Sequence, residues 1–401
     1  METINLSPPT VKAAASAKED LQFKITVAGG VFLLVFVAGY LLQAAPPHDK
    51  YGYLIGRDFV NTWMGARAAL SGHIDQLFHL QVYMQHLVAT FGPMVPHNWS
   101  YPPSLLLFIW PLGFLPYIAA CALWSVTGMA AYVGSAAAVD RSWRYLAFVA
   151  VTPAIGINLF CGQNGFFTAA LLILVFRYWD ERPIVAGLIL GAMLYKPHLV
   201  VLFPLALALS GRWRVIAAAG VSALTLAGLT ALIFGHDIWS EYFRLVVPVQ
   251  QAVMRYGTGF LTMMPTGFMQ ARMLGAGYWL AWLVQIPFTL LALAALVWTF
   301  VKRRDPVLSY AVLITASFVV TPYAFDYDMV VFGWLVAMLW TRFEAPWDRR
   351  LLLAVWTLPV AMLFYGEWYV PLAAPLMALF LLRLVSLLRG EKIELPAAQT
   401  A

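Results

Sequence analysis

Long apolar runs alternate with short polar breaks along the whole chain. The first run is Phe23 to Leu42. Others follow at about 117–138, 146–161, 164–178, 183–195, 198–210, 215–234, 279–300, 307–320, 328–341, 350–365 and 369–388. Together they predict about 12 transmembrane helices. In hydrocarbon only a helix or a closed barrel satisfies its own backbone, and no segment shows the ten-residue alternation of a barrel. The fold class is therefore an all-α polytopic membrane protein. Several runs are shorter than the ~20 residues that a ~30 Å hydrocarbon core requires. Those are expected to bend or to border a water-filled hollow. The stretch "PSLLLFIWPLGFL", 103–115, reads either as another span or as a half-helix at the surface.

Composition agrees with this pattern. Of the 401 residues, 62% are hydrophobic and 11% charged, against roughly a quarter charged in a soluble protein. The net charge of +6 arises from Lys and Arg in loops, so it is no sign of nucleic acid. Two cysteines, Cys121 and Cys161, supply neither a disulfide framework nor a metal set. The first run is long for a signal-peptide core and reads as a retained span. Tails 1–22 and 389–401 then flank one transmembrane domain, 23–388, with two long loops at about 43–102 and 235–278.

Basic residues orient these runs. With the N-terminus cytoplasmic and 103–115 not crossing, the breaks at Arg141/Arg144, Arg177/Arg182, Arg212/Arg214, Lys302–Arg304 and Arg342/Arg349/Arg350 fall inside. That places 18 of the 25 Lys and Arg on the cytoplasmic side, as the positive-inside rule expects. All seven histidines (His48, His73, His79, His86, His97, His198 and His236) then lie outside, with both long loops. A functional site is expected to open on the outer face of the cytoplasmic membrane.

The outward-facing motifs carry the candidate chemistry. In "RDFVNTWMGARAALSGH", Phe59, Trp63, Ala66 and Leu70 share one helical stripe, suggesting an amphipathic helix on the outer surface. Asp58 stands where an N-cap would. It could equally be a carboxylate that takes a proton from a substrate hydroxyl. "SYPPS" starts a helix and leaves Tyr101 beside the hollow. "CGQNG" forms a tight outer hairpin with Gln163 and Asn164 at its tip, suited to sugar hydroxyls. In "YKPHL", Lys196 is the lone base of the short outer breaks. It either snorkels to lipid headgroups or neutralises one phosphate, with His198 nearby. "TPYAFDYD" brings Tyr323, Asp326 and Asp328 to an apolar boundary, where carboxylates are costly and usually partnered, one of them as a cap. The second long loop offers Arg244, Arg255, Gln270 and Arg272. His79 and His86 lack the spacing of a zinc site, so no metal is expected. No ionisable residue falls in the middle third of any run, which weighs against an ion-coupled pump.

In this setting "DFVNTWMGARAALSG" (58–72), "YPPSLLLFIWPLGFLPYIAACALW" (101–124), "GQNGFFTAALLIL" (162–174), "KPHLVVLFPLAL" (196–207) and "TPYAFDYD" (321–328) resemble, in order, glycosyltransferase family 87. These are polyprenyl-phosphate-mannose-dependent mannosyltransferases of the GT-C superfamily. The resemblance implies a GT-C-type bundle whose long first outer loop carries amphipathic helices. It implies inverting transfer of a sugar, mannose by analogy, from a polyprenyl phosphate to a lipid or glycan hydroxyl. Asp58 would be the catalytic base. Lys196 and Arg272 would hold the donor phosphate. Tyr101, Gln163, Asn164, His198, Tyr323, Asp326 and Asp328 would position the substrates, and no cofactor beyond the donor is implied. One departure is "FDYD", which stands where the family has a Trp-Asp-His-like element. The rival reading is a transporter or flippase of a lipid-linked sugar.

Overall fold

The computed structural model describes residues 9–257, 260–302 and 305–390. Residues 1–8 and 391–401 of the expected tails, and Arg303 and Arg304 of one basic break, lie outside the described residues. The described residues are helical, with only isolated bridges pairing Ala45 with His48 and His48 with Leu54. Helix begins earlier than the first apolar run. It extends from Pro9 to Leu41, through much of the stretch expected as a tail.

Among the described residues, six helices are long and apolar enough to cross a membrane: Glu19–Leu41, Tyr117–Ala137, Trp213–Phe234, Tyr278–Val301, Pro346–Trp368 and Ala373–Gly390. A seventh would be the pair Trp143–Val149 and Ala154–Cys161, bent by 48° at Pro153. Such bends are expected where proline removes a donor. Outward positions on these helices are apolar: Leu224 is 75% and Leu232 81% exposed. Side chains of that kind need hydrocarbon around them.

The shorter apolar helices differ by position. Pro306–Val320 is buried from Leu308 to Val319 without interruption, and Val330–Leu339 is buried throughout except Met338. A helix apolar all round belongs in the centre of a bundle. Both occupy that place, the former against Tyr278–Val301 and Ala373–Gly390, the latter against Gly165–Tyr178 and Pro346–Tyr365. Buried phenols pin them: Tyr310 donates to the Leu172 carbonyl at 2.6 Å and Tyr132 to the Val330 carbonyl at 3.1 Å. These two are short because neighbouring helices, not lipid, surround them.

Polar breaks sort into two groups by their own contacts. Arg212 bonds Asp180, Arg342 bonds Asp305, Arg177 bonds the Ala138 carbonyl and Arg144 bonds Glu19. The remaining breaks meet at the far ends of the same helices. Gly165–Tyr178, about 21 Å long at ~1.5 Å per residue, separates Asn164 from Arg177.

The Phe59–Ser71 segment is more enclosed than its stripe suggests. Helix Phe59–Ser71 buries Asn61, Thr62, Gly65 and Ala68 as well as Phe59, Trp63 and Ala66, while Leu70 is exposed. It lies between Tyr117–Ala137 and the broken helix Pro103–Phe114, with the Trp63 indole donating to the Leu115 carbonyl at 2.9 Å. Segment 103–114 would reach about 18 Å, well short of a ~30 Å core.

Helix Pro183–Ala192 packs on Trp213–Phe234 through Gly187 and Gly191, one turn apart. A Cβ on Gly187 would lie 2.5 Å from the Ala218 Cβ, and one on Gly191 2.4 Å from the Ser222 Cβ. Small residues four apart allow this backbone approach. Gly191→Leu should therefore lower stability by about 1–3 kcal/mol through overpacking. Thermal unfolding in detergent measures this; an unchanged midpoint would show that the two helices can part freely.

Candidate functional site

Two glycines bring these far-end breaks together. Gly162 has φ 62°, and a Cβ there would lie 2.6 Å from both the Gly56 carbonyl oxygen and the Phe59 Cβ. The segment carrying Gly56 and Phe59 thus rests directly on the 161–165 hairpin, and the Asp58 N–H donates to the Cys161 carbonyl at 3.0 Å. On the hairpin's other side, a Cβ on Gly165 would fall 2.0 Å from the Tyr327 carbonyl oxygen. Asn158 Nδ2 donates to that same oxygen at 3.1 Å, fixing the 326–329 turn against the hairpin.

Asp58 occupies the cap position of helix Phe59–Ser71, yet its side chain makes no capping bond. The carboxylate points elsewhere. Gln163 Nε2 donates to Asp58 Oδ2 at 2.9 Å, and the Tyr101 hydroxyl donates to Gln163 Oε1 at 2.5 Å. The neighbouring amide reaches the other way: Lys196 Nζ donates to Asn164 Oδ1 at 2.7 Å and to Asp328 Oδ1 at 2.5 Å. Lys196 is 5% exposed and Asp328 fully buried, so the ammonium turns inward and does not snorkel. Six of the residues singled out in the sequence thus form two arms joined at Gln163–Asn164.

Asp58 faces a cavity of about 670 Å³, lined also by Arg57, His97, Met94, Phe325 and Tyr327. Its side chain remains 29% exposed to this space. Burial among surrounding protein pushes its carboxyl above the usual range, opposed by the Gln163 bond and by the charges of His97, Arg57 and Lys196. Arg57 has φ 36°, an uncommon value for a residue with a Cβ. It is held by Asp49 at 2.8 Å and lies over the rings of Tyr53 and Phe160. Beyond the hairpin a second space of about 680 Å³ is almost wholly apolar. Phe108, Leu123, Phe167 and Leu171 line it, and Asn164 and Tyr195 are among its few polar residues.

The other candidate residues fall around this centre. Asp326 is buried, accepts from the Tyr327 N–H at 2.8 Å, and has no partner at Oδ2. Asp328 Oδ2 and Asn164 Nδ2 likewise have none. Neither aspartate makes a side-chain cap bond, contrary to the expectation that one would. His198 meets Tyr323 edge to face at 6.1 Å, and Tyr323 bonds Gln250 Oε1 at 3.2 Å, which brings helix Val247–Tyr256 to the rim. Arg272 is not joined to the Lys196 arm by any of its hydrogen bonds. They go to the carbonyls of Ala276 and Arg255 and hold that loop in shape. Arg57, Asn158 and His97 were not singled out as site residues. Arg57 directly precedes Asp58, but nothing in its spacing reveals the aromatic clamp.

A buried ion pair is costly to break but not to replace. Lys196→Met alone should destabilise the protein by about 3–5 kcal/mol, because Asp328 is left without its cation. Adding Asp328→Leu should recover most of the loss. Thermal unfolding of the three proteins checks this; equal midpoints would mean the pair is hydrated.

The family model described as glycosyltransferase family 87 matches residues 99–322. That range contains Tyr101, Gln163, Asn164, Lys196, His198 and Arg272; Asp58 precedes it and Tyr323, Asp326 and Asp328 follow it. Neither the curated proteins nor the solved structures returned a match. The match covers more than half of a chain with several membrane-length apolar helices, and the protein belongs to glycosyltransferase family 87.

Proposed function

We propose that the protein is a GT-C-type mannosyltransferase that uses a polyprenyl-phosphate donor at the outer face of the cytoplasmic membrane. The observation that carries this reading is the Asp58 carboxylate. It is free of its helix, lies in a cavity, and is joined through Gln163 and its neighbour Asn164 to the buried Lys196. A base and a cation on opposite sides of one hairpin tip suit a displacement in which a proton leaves on one side and an anion on the other.

The acceptor hydroxyl enters the cavity at Asp58 and gives its proton to the carboxylate as its oxygen attacks the anomeric carbon. The bond from that carbon to the phosphate oxygen breaks with inversion, and polyprenyl phosphate leaves with the electron pair. Lys196 stabilises the charge gathering on the phosphate, as fixed cations do in a site shielded from water. The phosphate departs as an anion, so no second carboxyl group need protonate it, unlike a glycosidase leaving group. In this reading Arg272 contributes by shaping the second outer loop. The unpartnered Asp328 Oδ2, Asp326 Oδ2 and Asn164 Nδ2 meet sugar hydroxyls. The apolar space that contains Asn164 accommodates the first isoprene units. The shorter apolar helices complete a bundle of about 12 spans around this centre.

The test is transfer from radiolabelled polyprenyl-phosphate-mannose to a lipid acceptor in liposomes. Asp58→Asn should lower kcat by ~10²–10⁴, the usual contribution of a general base, without loss of fold, since no cap bond is removed. Equal turnover by both proteins would refute the role of Asp58, and donor crossing without product would favour a flippase. Acidity provides a second check. A base works only when deprotonated, so kcat/KM should fall as pH drops through a value above the ~3.9 of an ordinary aspartate. A rate that stays flat down to about that value would contradict the burial effect.

A further inference from the structure

His97 lies in the helix-free stretch between Phe91 and Pro103. The stretch is nonetheless fixed. Trp99 is 2% exposed and packs so closely on Gly65 that a Cβ there would fall 2.3 Å from the indole. The His97 N–H meets Met84 Sδ at 3.2 Å. The ring is likewise held, its side chain 11% exposed and lining the Asp58 cavity.

The ring's two nitrogens have different partners. Nδ1 is 2.8 Å from the Val95 carbonyl oxygen. A carbonyl can only accept, so Nδ1 carries a hydrogen, and in the neutral ring the lone pair is on Nε2. Nε2 is 4.0 Å from Asp58 Oδ1. Oδ2 is already occupied by Gln163, so Oδ1 is the oxygen available to the acceptor. Two acceptors face each other here. They repel while the pair holds no proton and attract once it holds one. The gap exceeds a direct hydrogen bond of about 2.7–3.2 Å and admits one hydroxyl oxygen within reach of both atoms.

We propose that His97 is a positioning residue that acts through Asp58, receiving at Nε2 the proton that Asp58 Oδ1 takes from the acceptor hydroxyl. This rests on Asp58 being the base. The acceptor O–H bond breaks and an Oδ1–H bond forms. Once the product has left, a water in the gap between Oδ1 and Nε2 relays that proton, giving an imidazolium and restoring the carboxylate, and the proton then leaves through the cavity to water. The net change is one proton released per sugar transferred.

Other groups near the pair do not take this role. Arg57 is paired with Asp49, and Lys196 with Asp328 and Asn164. The phenols of Tyr83 and Tyr101 are pushed up by burial and stay protonated. Asp326 and Cys161 also interact with the charge of Asp58, but Asp326 lies on the 326–329 turn, and only the backbone carbonyl of Cys161 bonds to Asp58. His48, Arg57 and Tyr327 share the cavity wall, but it is His97 Nε2 that lies 4.0 Å from Oδ1.

The experiment is the pH dependence of sugar transfer by the full-length protein in liposomes, with His97→Ala, His97→Gln and Asp58→Asn alongside wild type. The expected result is a fall in kcat of about 10²-fold for both His97 variants. Two protonations should govern the acid limb in wild type and one in the variants, and added imidazole should restore turnover to His97→Ala alone. An acid limb unchanged in form, with no rescue, would overturn the proposal even if turnover fell, because a merely structural histidine would behave that way. His97→Gln supplies the same readout should His97→Ala unfold. If Asp58→Asn remains active, the base assignment itself fails. If Asp58→Asn is inactive while the His97 variants keep the wild-type profile, the inference about His97 fails alone.

Discussion

Two adjacent amides, Gln163 and Asn164, hold the candidate site together. Successive side chains at a tight hairpin tip can diverge, and here one bonds the Asp58 carboxylate while the other bonds the Lys196 ammonium. That arrangement needs the hairpin to touch two other segments at backbone distance. Gly162 and Gly165 allow it, because any side chain at either position would collide with the Gly56 or Tyr327 carbonyl. The glycines serve close approach as well as turning.

The polar centre is surrounded by apolar structure, and this governs its electrostatics. A buried Lys–Asp pair is weak evidence of stability, since desolvation offsets much of the attraction. Its retention among apolar helices is better explained by a need for a fixed charge in a place from which water is largely excluded. The same surroundings raise the Asp58 carboxyl, the direction that its proposed role as a base requires. The hairpin separates an open cavity that contains Asp58 from an apolar space that contains Asn164.

Much of the helical organisation was legible, because apolar runs of bilayer length have few other uses. Run boundaries near 117–138, 215–234 and 279–300 fall within a residue or two of helices Tyr117–Ala137, Trp213–Phe234 and Tyr278–Val301. The shortness of Pro306–Val320 and Val330–Leu339 was legible too, but its cause was not, since hydropathy does not distinguish lipid from protein as the surroundings. The Phe59–Ser71 stripe predicted a helix, but not that protein would cover most of its polar side. At the site, residue types picked out Asp58, Tyr101, Gln163, Asn164, Lys196 and Asp328. They gave no means of separating Arg272, which bonds its own loop, from Arg57, which abuts Asp58.

By itself, then, the sequence determined that this is a helical membrane protein, where its polar breaks fall, and which residue types could do chemistry, for those follow from local composition and period. Only the tertiary structure decided that Asp58 leaves its helix uncapped, that Lys196 turns inward, and that His97 faces the carboxylate. Each of those depends on contacts between segments far apart in the chain, and the period of a run carries no record of which distant segment will press against it.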